Sequence, residues 1–123
     1  MTIKDIISGR ILSRGESGGI TIIGLLGSIS GSFVIATVGY FLDINTYYLF
    51  IVFISGFLAS LFDSLLGSTL QSRFILMDGK TIIEEKKTNS YHYSGLVFIN
   101  NNSVNFLCTL SAPIFFILLH LII

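Results

Sequence analysis

Residues 56–71 read GFLASLFDSLLGSTLQ, an apolar run that contains one carboxylate, Asp63. Asp63 is the only charged residue between Asp43 and Arg73. A loop between short helices, or a surface position on a soluble helix, would explain an isolated aspartate. The composition disfavours both, because 11% of the residues are charged, against about 25% in soluble domains. The mean hydropathy of +0.84 points the same way, so the run predicts a helix in lipid that carries an ionisable side chain.

Three stretches are long enough to cross a bilayer, which takes about 20 apolar residues. They cover roughly residues 19–42, 47–70 and 103–123. These spans predict an all-α integral membrane protein of three transmembrane helices, organised as a single membrane domain over residues 1–123. Because of these apolar spans we expect membrane lipid among its partners. The net charge of zero gives no electrostatic attraction to nucleic acid, so we expect no nucleic acid.

The lysines and arginines lie at one side of the predicted spans. They are Lys4, Arg10 and Arg14 before the first span, and Arg73, Lys80, Lys86 and Lys87 between the second and the third. The connection over residues 43–46 and the C-terminus carry none. Because positive residues favour the cytoplasmic side, we predict a multi-pass protein with its N-terminus and its 71–102 loop in the cytoplasm. The C-terminus is then predicted to lie outside.

The small and polar residues of the second span fall on one helical face around Asp63. At helical periodicity this face carries Gly56, Ser60, Ser64, Gly67 and Gln71. Ionisable side chains in membrane helices usually point into a bundle or a wet cavity. Asp63 is therefore interpreted either as a functional ligand or base, or as a hydrogen-bonding group that joins helices.

The other two spans also carry small or polar residues. Gly27 and Gly31 of the first span form a small-xxx-small pair, which predicts close helix packing. Asn105 lies on the more polar side of the third span.

A glycine-rich segment, Arg14-Gly15-Glu16-Ser17-Gly18-Gly19, precedes the first span. Glycines allow a ligand close to the backbone, and helix N-termini offer free N–H groups to anions. The third span starts at the same predicted face, where Asn102 or Ser103 is expected to cap it. Asp63 could hold a divalent cation between phosphate oxygens, so the combination predicts a phosphate site. For the glycines alone, a flexible loop entering the membrane is the alternative.

The segments outside the spans also predict short elements of regular structure. Asp78-Gly79 between two apolar runs is a hairpin signal, and residues 96–99 are expected to add a third short strand. Residues 84–87, Glu-Glu-Lys-Lys, are interpreted as a solvated run of mixed charge without chemistry. Isoleucines spaced for one helical face in residues 1–14 predict a helix lying at the lipid surface.

Three blocks of this sequence resemble the C-terminal half of the transmembrane protein 19 family, also called domain-of-unknown-function family 92. They are Gly15 to Thr21, Gly56 to Gln71 and Asn101 to Leu107, and the middle block, GFLxSLxDSLLGxxLQ, is long and specific. The resemblance implies a membrane-embedded enzyme of isoprenoid phosphate metabolism, because plant members include phytyl-phosphate kinase. It also implies an isoprenoid monophosphate as substrate, CTP or another nucleotide as phosphoryl donor, and Mg²⁺ as cofactor.

Positions in these blocks imply roles for individual residues. Asp63 would act in catalysis and hold the metal, and Asn105 would orient a phosphate or a metal-bound water. The residues expected to contact phosphate are Ser17, Gly18, Gly19, Thr21, Ser60, Ser64 and Gln71. Family members are longer, and their first half holds an acidic motif that has no counterpart here. A homo-oligomer or a separate N-terminal-half subunit is therefore expected to complete the site.

A second reading places no chemistry in the chain. It would then be a non-catalytic membrane subunit or a small transporter component, in which Asp63 pairs with a partner helix. Asn100 and Asn102, which stand where relatives usually carry aspartate, favour this reading because they remove potential metal ligands.

Overall fold

The computed structural model describes residues 2–13 and 16–123. Three helices, α1 (Ile22–Phe41), α2 (Thr46–Thr69) and α3 (Asn101–Ile122), are each long and apolar enough to cross a membrane. Their 20, 24 and 22 residues give lengths of about 30–36 Å at ~1.5 Å per residue. Since the hydrocarbon core is ~30 Å thick, the predicted three-helix membrane architecture is confirmed.

Short strands in the described part of the chain form two antiparallel sheets. In the first, β1 (Lys4–Asp5) pairs with β2 (Gly19–Ile20). In the second, β3 (Arg73–Leu76) lies between β4 (Ile82–Ile83) and β5 (Ser90–Ser94).

The hairpin predicted around Asp78-Gly79 is present between β3 and β4. Gly79 adopts a positive φ of 67°, and the Asp78 carboxylate accepts the amide protons of Lys80 and Thr81. A hydrogen bond from the Thr81 hydroxyl is the chief cause of the lowered pKa of Asp78, and the two amides lower it further. The register places Phe74 opposite Ile83.

The third strand is β5, so its predicted position at residues 96–99 was wrong. Gly95 follows the strand, with a φ of +78° and a backbone so close to the segment after α2 that an added Cβ would lie 2.0 Å from the Gln71 carbonyl oxygen. Beyond it, the Leu96 amide donates to the Leu70 carbonyl, and the Ser72 amide donates to the Ile99 carbonyl. Residues 96–99 therefore bond to the chain that leaves α2 and extend no sheet.

The described N-terminal residues form a strand and turns, so the predicted surface helix was wrong for residues 2–13. The Asp5 carboxylate accepts the amide protons of Ile7 and Ser8 at 3.1 and 2.8 Å, which closes a turn in place of a helix. Gly9 follows with a positive φ of 66°. The chain therefore turns back, and β1 pairs with β2.

Asparagine side chains mark the starts of two helices. The Asn45 side-chain oxygen accepts the Tyr47 amide proton at 2.9 Å, immediately before α2. The Asn100 side-chain oxygen accepts the Ser103 amide proton at 3.0 Å, which makes Asn100 the N-cap of α3. The predicted cap at Asn102 or Ser103 was therefore wrong, because both residues lie inside the helix.

Internal contacts divide the chain into two compact units. The strand unit contains residues 1–21 and Asp63–Leu107, with all the strands, the end of α2 and the start of α3. The helix unit contains Ile22–Phe62 and Cys108–Ile123.

Serines and a glycine make the α1–α2 contact in the helix unit. The hydroxyl oxygens of Ser28 and Ser60 lie 2.6 Å apart, and a Cβ added at Gly56 would lie 2.9 Å from the Ser32 hydroxyl. At Gly27 and Gly31 an added Cβ would meet nothing within 4 Å. Within the described chain the serine face of α1, not the face of these two glycines, is turned toward α2, and close packing of the glycines against another helix stays a prediction.

Asp5 gives the strand unit a pH dependence. Burial raises its pKa, but hydrogen bonds from the Ser8 amide, the Ser68 and Ser8 hydroxyls and the Ile7 amide outweigh burial and lower the pKa from 3.8 to about 2. A carboxylate whose pKa is lower in the folded state stabilises above its unfolded pKa and loses that contribution as protons bind.

We therefore expect protection of the N-terminal amides to fall between about pH 4 and pH 2. Hydrogen exchange of residues 4–8 in detergent measures this loss. Asp5→Asn should be weakly protected across the range, with no step. A step of equal size in that variant would assign the pH dependence to another group.

Candidate functional site

Asp63 lies on α2 and is the first residue of the second segment of the strand unit, Asp63–Leu107. Its side chain is half-buried. One of its carboxylate oxygens, Oδ1, is buried without a hydrogen-bond partner in the described residues. A buried polar atom without a partner is costly and rare in folded proteins. The side chain is therefore available to a cation, a water or a further polar group.

One turn after Asp63, the glycine-rich segment packs directly on α2. A Cβ added at Gly67 would lie 2.8 Å from the Gly18 amide nitrogen, and a Cβ added at Gly18 would lie 2.5 Å from the Ser68 Cα. Gly18 also has a φ of +80°, a conformation that glycine adopts without steric cost. Both glycines are thus needed for this contact between two backbones. The contact places Ser17 beside the end of α2.

Gly18→Ala should destabilise the strand unit strongly, because the new methyl group meets the Ser68 backbone and the backbone dihedral is unfavourable. Overpacking of this kind costs about 1–3 kcal/mol, and the dihedral adds about 1 kcal/mol. Thermal unfolding in detergent measures the loss. Gly79→Ala is the matched control, since Gly79 has a φ of +67° and open space around it; equal effects of the two substitutions would contradict a packing role for Gly18.

Three donors from distant parts of the sequence converge on the carboxylate of Glu84. The Ser17 amide and hydroxyl both donate to its Oε1, the amide at 2.7 Å, and Gln71 Nε2 donates to its Oε2 at 2.9 Å. Gln71 itself is only 2% exposed, and its buried side-chain oxygen has no hydrogen-bond partner among the residues that the structure describes. Two residues predicted to hold phosphate thus hold an anion of the chain itself.

The interpretation of residues 84–87 as a purely solvated run was wrong for Glu84. It is half-buried and directly follows β4. Ser17 and Glu84 are 67 positions apart in the sequence. No local sequence pattern therefore predicts their contact. The signal available in the sequence was an acidic residue directly after the return strand of a hairpin.

Arg73 fastens the glycine-rich segment to the C-terminal end of α2. Its Nη2 donates to the carbonyl oxygens of Ser17 and Gly67, both at 2.9 Å, and the side chain is 6% exposed. The last carbonyls of a helix lack partners within the helix and favour a cation. The Arg73 Nε is buried and has no hydrogen-bond partner within residues 2–13 and 16–123. In the sequence, Arg73 had served only as one of the positive residues that predict the cytoplasmic side of the membrane.

The remaining predicted site residues are dispersed. Gly19 lies in β2 opposite Asp5, Thr21 and Ser64 are half-buried, and Asn105 is exposed in the second turn of α3. Ser60 belongs to the helix unit, where it bonds to Ser28. Arg14 and Gly15 of the glycine-rich segment lie outside the described residues.

A polar cavity of about 420 Å³ in the strand unit borders Glu84. It lies against the capped start of α3, and its wall is made by Ser72, Phe74, Glu84, Glu85, Lys86, Val97, Asn100, Asn101 and Asn102. This volume is within the range of small-ligand pockets, about 300–1,000 Å³. Glu84 thus belongs both to the cavity wall and to the donor cluster of Ser17 and Gln71.

The described residues supply few ligands for a metal ion. Among them, no group of three or more His, Cys, Asp or Glu side chains could hold one. Mg²⁺ commonly binds through one or two carboxylates, with substrate phosphates and water as its other ligands. The unpartnered oxygen of Asp63 fits that mode of binding and would be the contribution of this chain.

Comparison with known proteins gives one family. The model of the family described as Integral membrane protein DUF92 matches residues 4–113. Searches of curated proteins and of solved structures return no match.

Proposed function

Because this chain belongs to the DUF92 family of integral membrane proteins, we propose that it takes part in phosphoryl transfer from a nucleotide to an isoprenoid monophosphate. The observation that carries the proposal is the buried oxygen of Asp63, which has no hydrogen-bond partner in the described part of the chain. This carboxylate lies one helical turn before Gly67, where the glycine-rich segment meets α2.

The reaction proposed needs little from the protein beyond positioning and neutralisation of charge. An oxygen of the prenyl monophosphate attacks the terminal phosphorus of the nucleotide, and a new P–O bond forms as the bond to the nucleoside diphosphate breaks. The products are a prenyl diphosphate and a nucleoside diphosphate. The attacking oxygen is already ionised, so Asp63 is assigned to the metal and does not need to act as a base.

Mg²⁺ would supply neutralisation of the phosphate charges when bound. The Asp63 carboxylate would hold it, and Asn105 would orient a phosphate from α3. Ser64, the neighbour of Asp63, and Thr21, which precedes α1, would add hydroxyl donors. CTP is the donor we expect among the nucleotides, and the other nucleotides are tested beside it.

A second copy of the chain or a separate subunit would complete such a site. The described residues contribute one suitable carboxylate on α2 and no cluster of metal ligands. Two metal ions, as in many phosphoryl-transfer sites, would require further carboxylates. We therefore propose that the active form is an oligomer.

A non-catalytic membrane subunit is the second candidate, and the surface of α1 favours it. Gly27 and Gly31 are open in the described chain, and small-xxx-small pairs let another helix approach closely in lipid. In that case Asp63 would pair with a polar group of the partner helix.

The test is a transfer assay on protein purified from membranes in mild detergent. Each radiolabelled nucleotide is supplied with Mg²⁺ and with geranylgeranyl or phytyl monophosphate, and labelled prenyl diphosphate is separated and counted. The proposal expects a diphosphate product that depends on both substrates. Its absence from an intact oligomer, with every nucleotide tested, would favour the subunit interpretation.

A further inference from the structure

We propose that Glu84 is an internal anion that occupies an oxyanion-binding site, and that a phosphate monoester displaces it. The site consists of the Ser17 amide, the Ser17 hydroxyl and Gln71 Nε2. This inference rests on the proposed function for its ligand, a phosphate monoester, but it concerns binding and its control, not transfer.

The donors around Glu84 are neutral, although the group they hold is charged. Among the described residues Glu84 forms no ion pair; the one ion pair there joins Arg10 and Glu16. Backbone N–H groups, hydroxyls and side-chain amides that converge on one anion are a recurrent arrangement in phosphate sites. The carboxylate presents the two oxygens that these donors contact.

Ser17 is held in place by contacts that do not involve Glu84. Arg73 fixes the Ser17 carbonyl at 2.9 Å, and the Gly18–Gly67 backbone contact fixes the next residue against α2. Gln71 is almost fully buried. Donors that are positioned by contacts with Arg73 and α2 and by burial can exchange one anion for another.

Glu84, by contrast, lies on a weakly held segment. The hairpin arm, residues 77–89, is mostly exposed, and its strand β4 pairs with β3 through two residue pairs. Few buried apolar contacts are typical of segments that open at low free-energy cost. The arm can therefore withdraw the carboxylate while β3 and β5 remain paired.

The incoming ligand would enter from the cavity beside Glu84. The polar cavity of about 420 Å³ has Glu84 in its wall, together with Lys86. A phosphate monoester carries three acceptor oxygens and more negative charge than a carboxylate. It could therefore contact the three donors and still face Lys86, which gives it an advantage over Glu84.

The binding test uses geranylgeranyl monophosphate, phosphatidic acid and inorganic phosphate as three separate probes, with geranylgeraniol as the control without phosphate. No nucleotide is added. Glu84→Ala should lower the Kd of the favoured phosphate probe about tenfold, as expected for a site that is blocked about nine-tenths of the time. Asp43→Asn removes one negative charge from an exposed residue outside this cavity and should leave the Kd unchanged.

The comparison of probes identifies the source of the phosphate. A gain limited to geranylgeranyl monophosphate assigns the site to the proposed substrate, and a gain limited to phosphatidic acid assigns it to a lipid headgroup. Unchanged or weaker binding of every phosphate probe to Glu84→Ala would overturn the inference and make Glu84 a purely structural acceptor.

Hydrogen exchange of the wild-type chain keeps the test valid if Glu84→Ala fails to fold. Binding of the phosphate probe should raise exchange of the amides in residues 82–87, because the arm loses its contact with Ser17. Unchanged or slower exchange there would contradict displacement. Tighter binding to Glu84→Ala without any transfer activity would support displacement of Glu84 and contradict the proposed phosphoryl transfer. Transfer activity with no effect of Glu84→Ala on binding would support the proposed function and contradict displacement.

Discussion

Asp63→Asn is expected to abolish phosphoryl transfer while the chain still assembles. Asparagine keeps the size of the side chain and one oxygen, but it removes the charge that would hold Mg²⁺. The charge stabilisation that a metal supplies in such reactions is worth several kcal/mol, so kcat/KM should fall at least about a hundredfold. The transfer assay gives this number, and size-exclusion chromatography in detergent gives the state of assembly.

The matched control is Asp43→Asn. Asp43 is exposed in the turn between α1 and α2 and has a positive φ of 57°, a conformation that asparagine also tolerates. The control should therefore be active and assembled. Dissociation of the oligomer by Asp63→Asn would instead show that Asp63 joins helices. Full activity of this variant would show that Asp63 does not serve the reaction.

Arg73→Met should cause the second large effect, a loss of stability in the strand unit. The Ser17 and Gly67 carbonyls would lose the guanidinium that now contacts both at 2.9 Å, in a place that water reaches poorly. Hydrogen bonds to a charged group contribute about 1.5–3 kcal/mol each, so the free energy of unfolding should fall by about 3 kcal/mol or more. Thermal unfolding in detergent and proteolysis of the N-terminal segment measure the change.

Two further variants show whether the geometry of Arg73 matters. Lys80→Met removes an exposed cation of the hairpin and should leave stability unchanged. Arg73→Lys keeps the charge but lacks the planar fork of donors, so it should recover only part of the loss. Full recovery by lysine would mean that charge alone stabilises the end of α2.

The membrane architecture could be predicted from the sequence because hydrophobic length alone determines it. A run such as 47–70, with one charge in it, has few alternatives in lipid. The hairpin was predictable for a similar reason, since Asp78-Gly79 suits the tight turn between β3 and β4.

Predictions outside the spans failed where a distant contact overrides a local pattern. The isoleucines of residues 1–14 have helical spacing, but the Asp5 carboxylate is bonded to the amides of Ile7 and Ser8 and to the Ser68 hydroxyl. Glu84 looked solvated because its partners, Ser17 and Gln71, lie elsewhere in the sequence. The glycines of the N-terminal segment were predicted to approach a ligand, and Gly18 approaches α2 instead.

Binding of geranylgeranyl monophosphate with and without Mg²⁺ is the most direct test of the central claim, that Asp63 serves a metal–phosphate site. Equilibrium dialysis of the labelled monophosphate in detergent, for wild type and Asp63→Asn, measures it without any need for turnover. We predict binding to the wild type that Mg²⁺ strengthens at least tenfold (about 1.4 kcal/mol), and no Mg²⁺ effect in Asp63→Asn. Identical binding by the two proteins, with and without the metal, would contradict the account and leave Asp63 as a contact between helices.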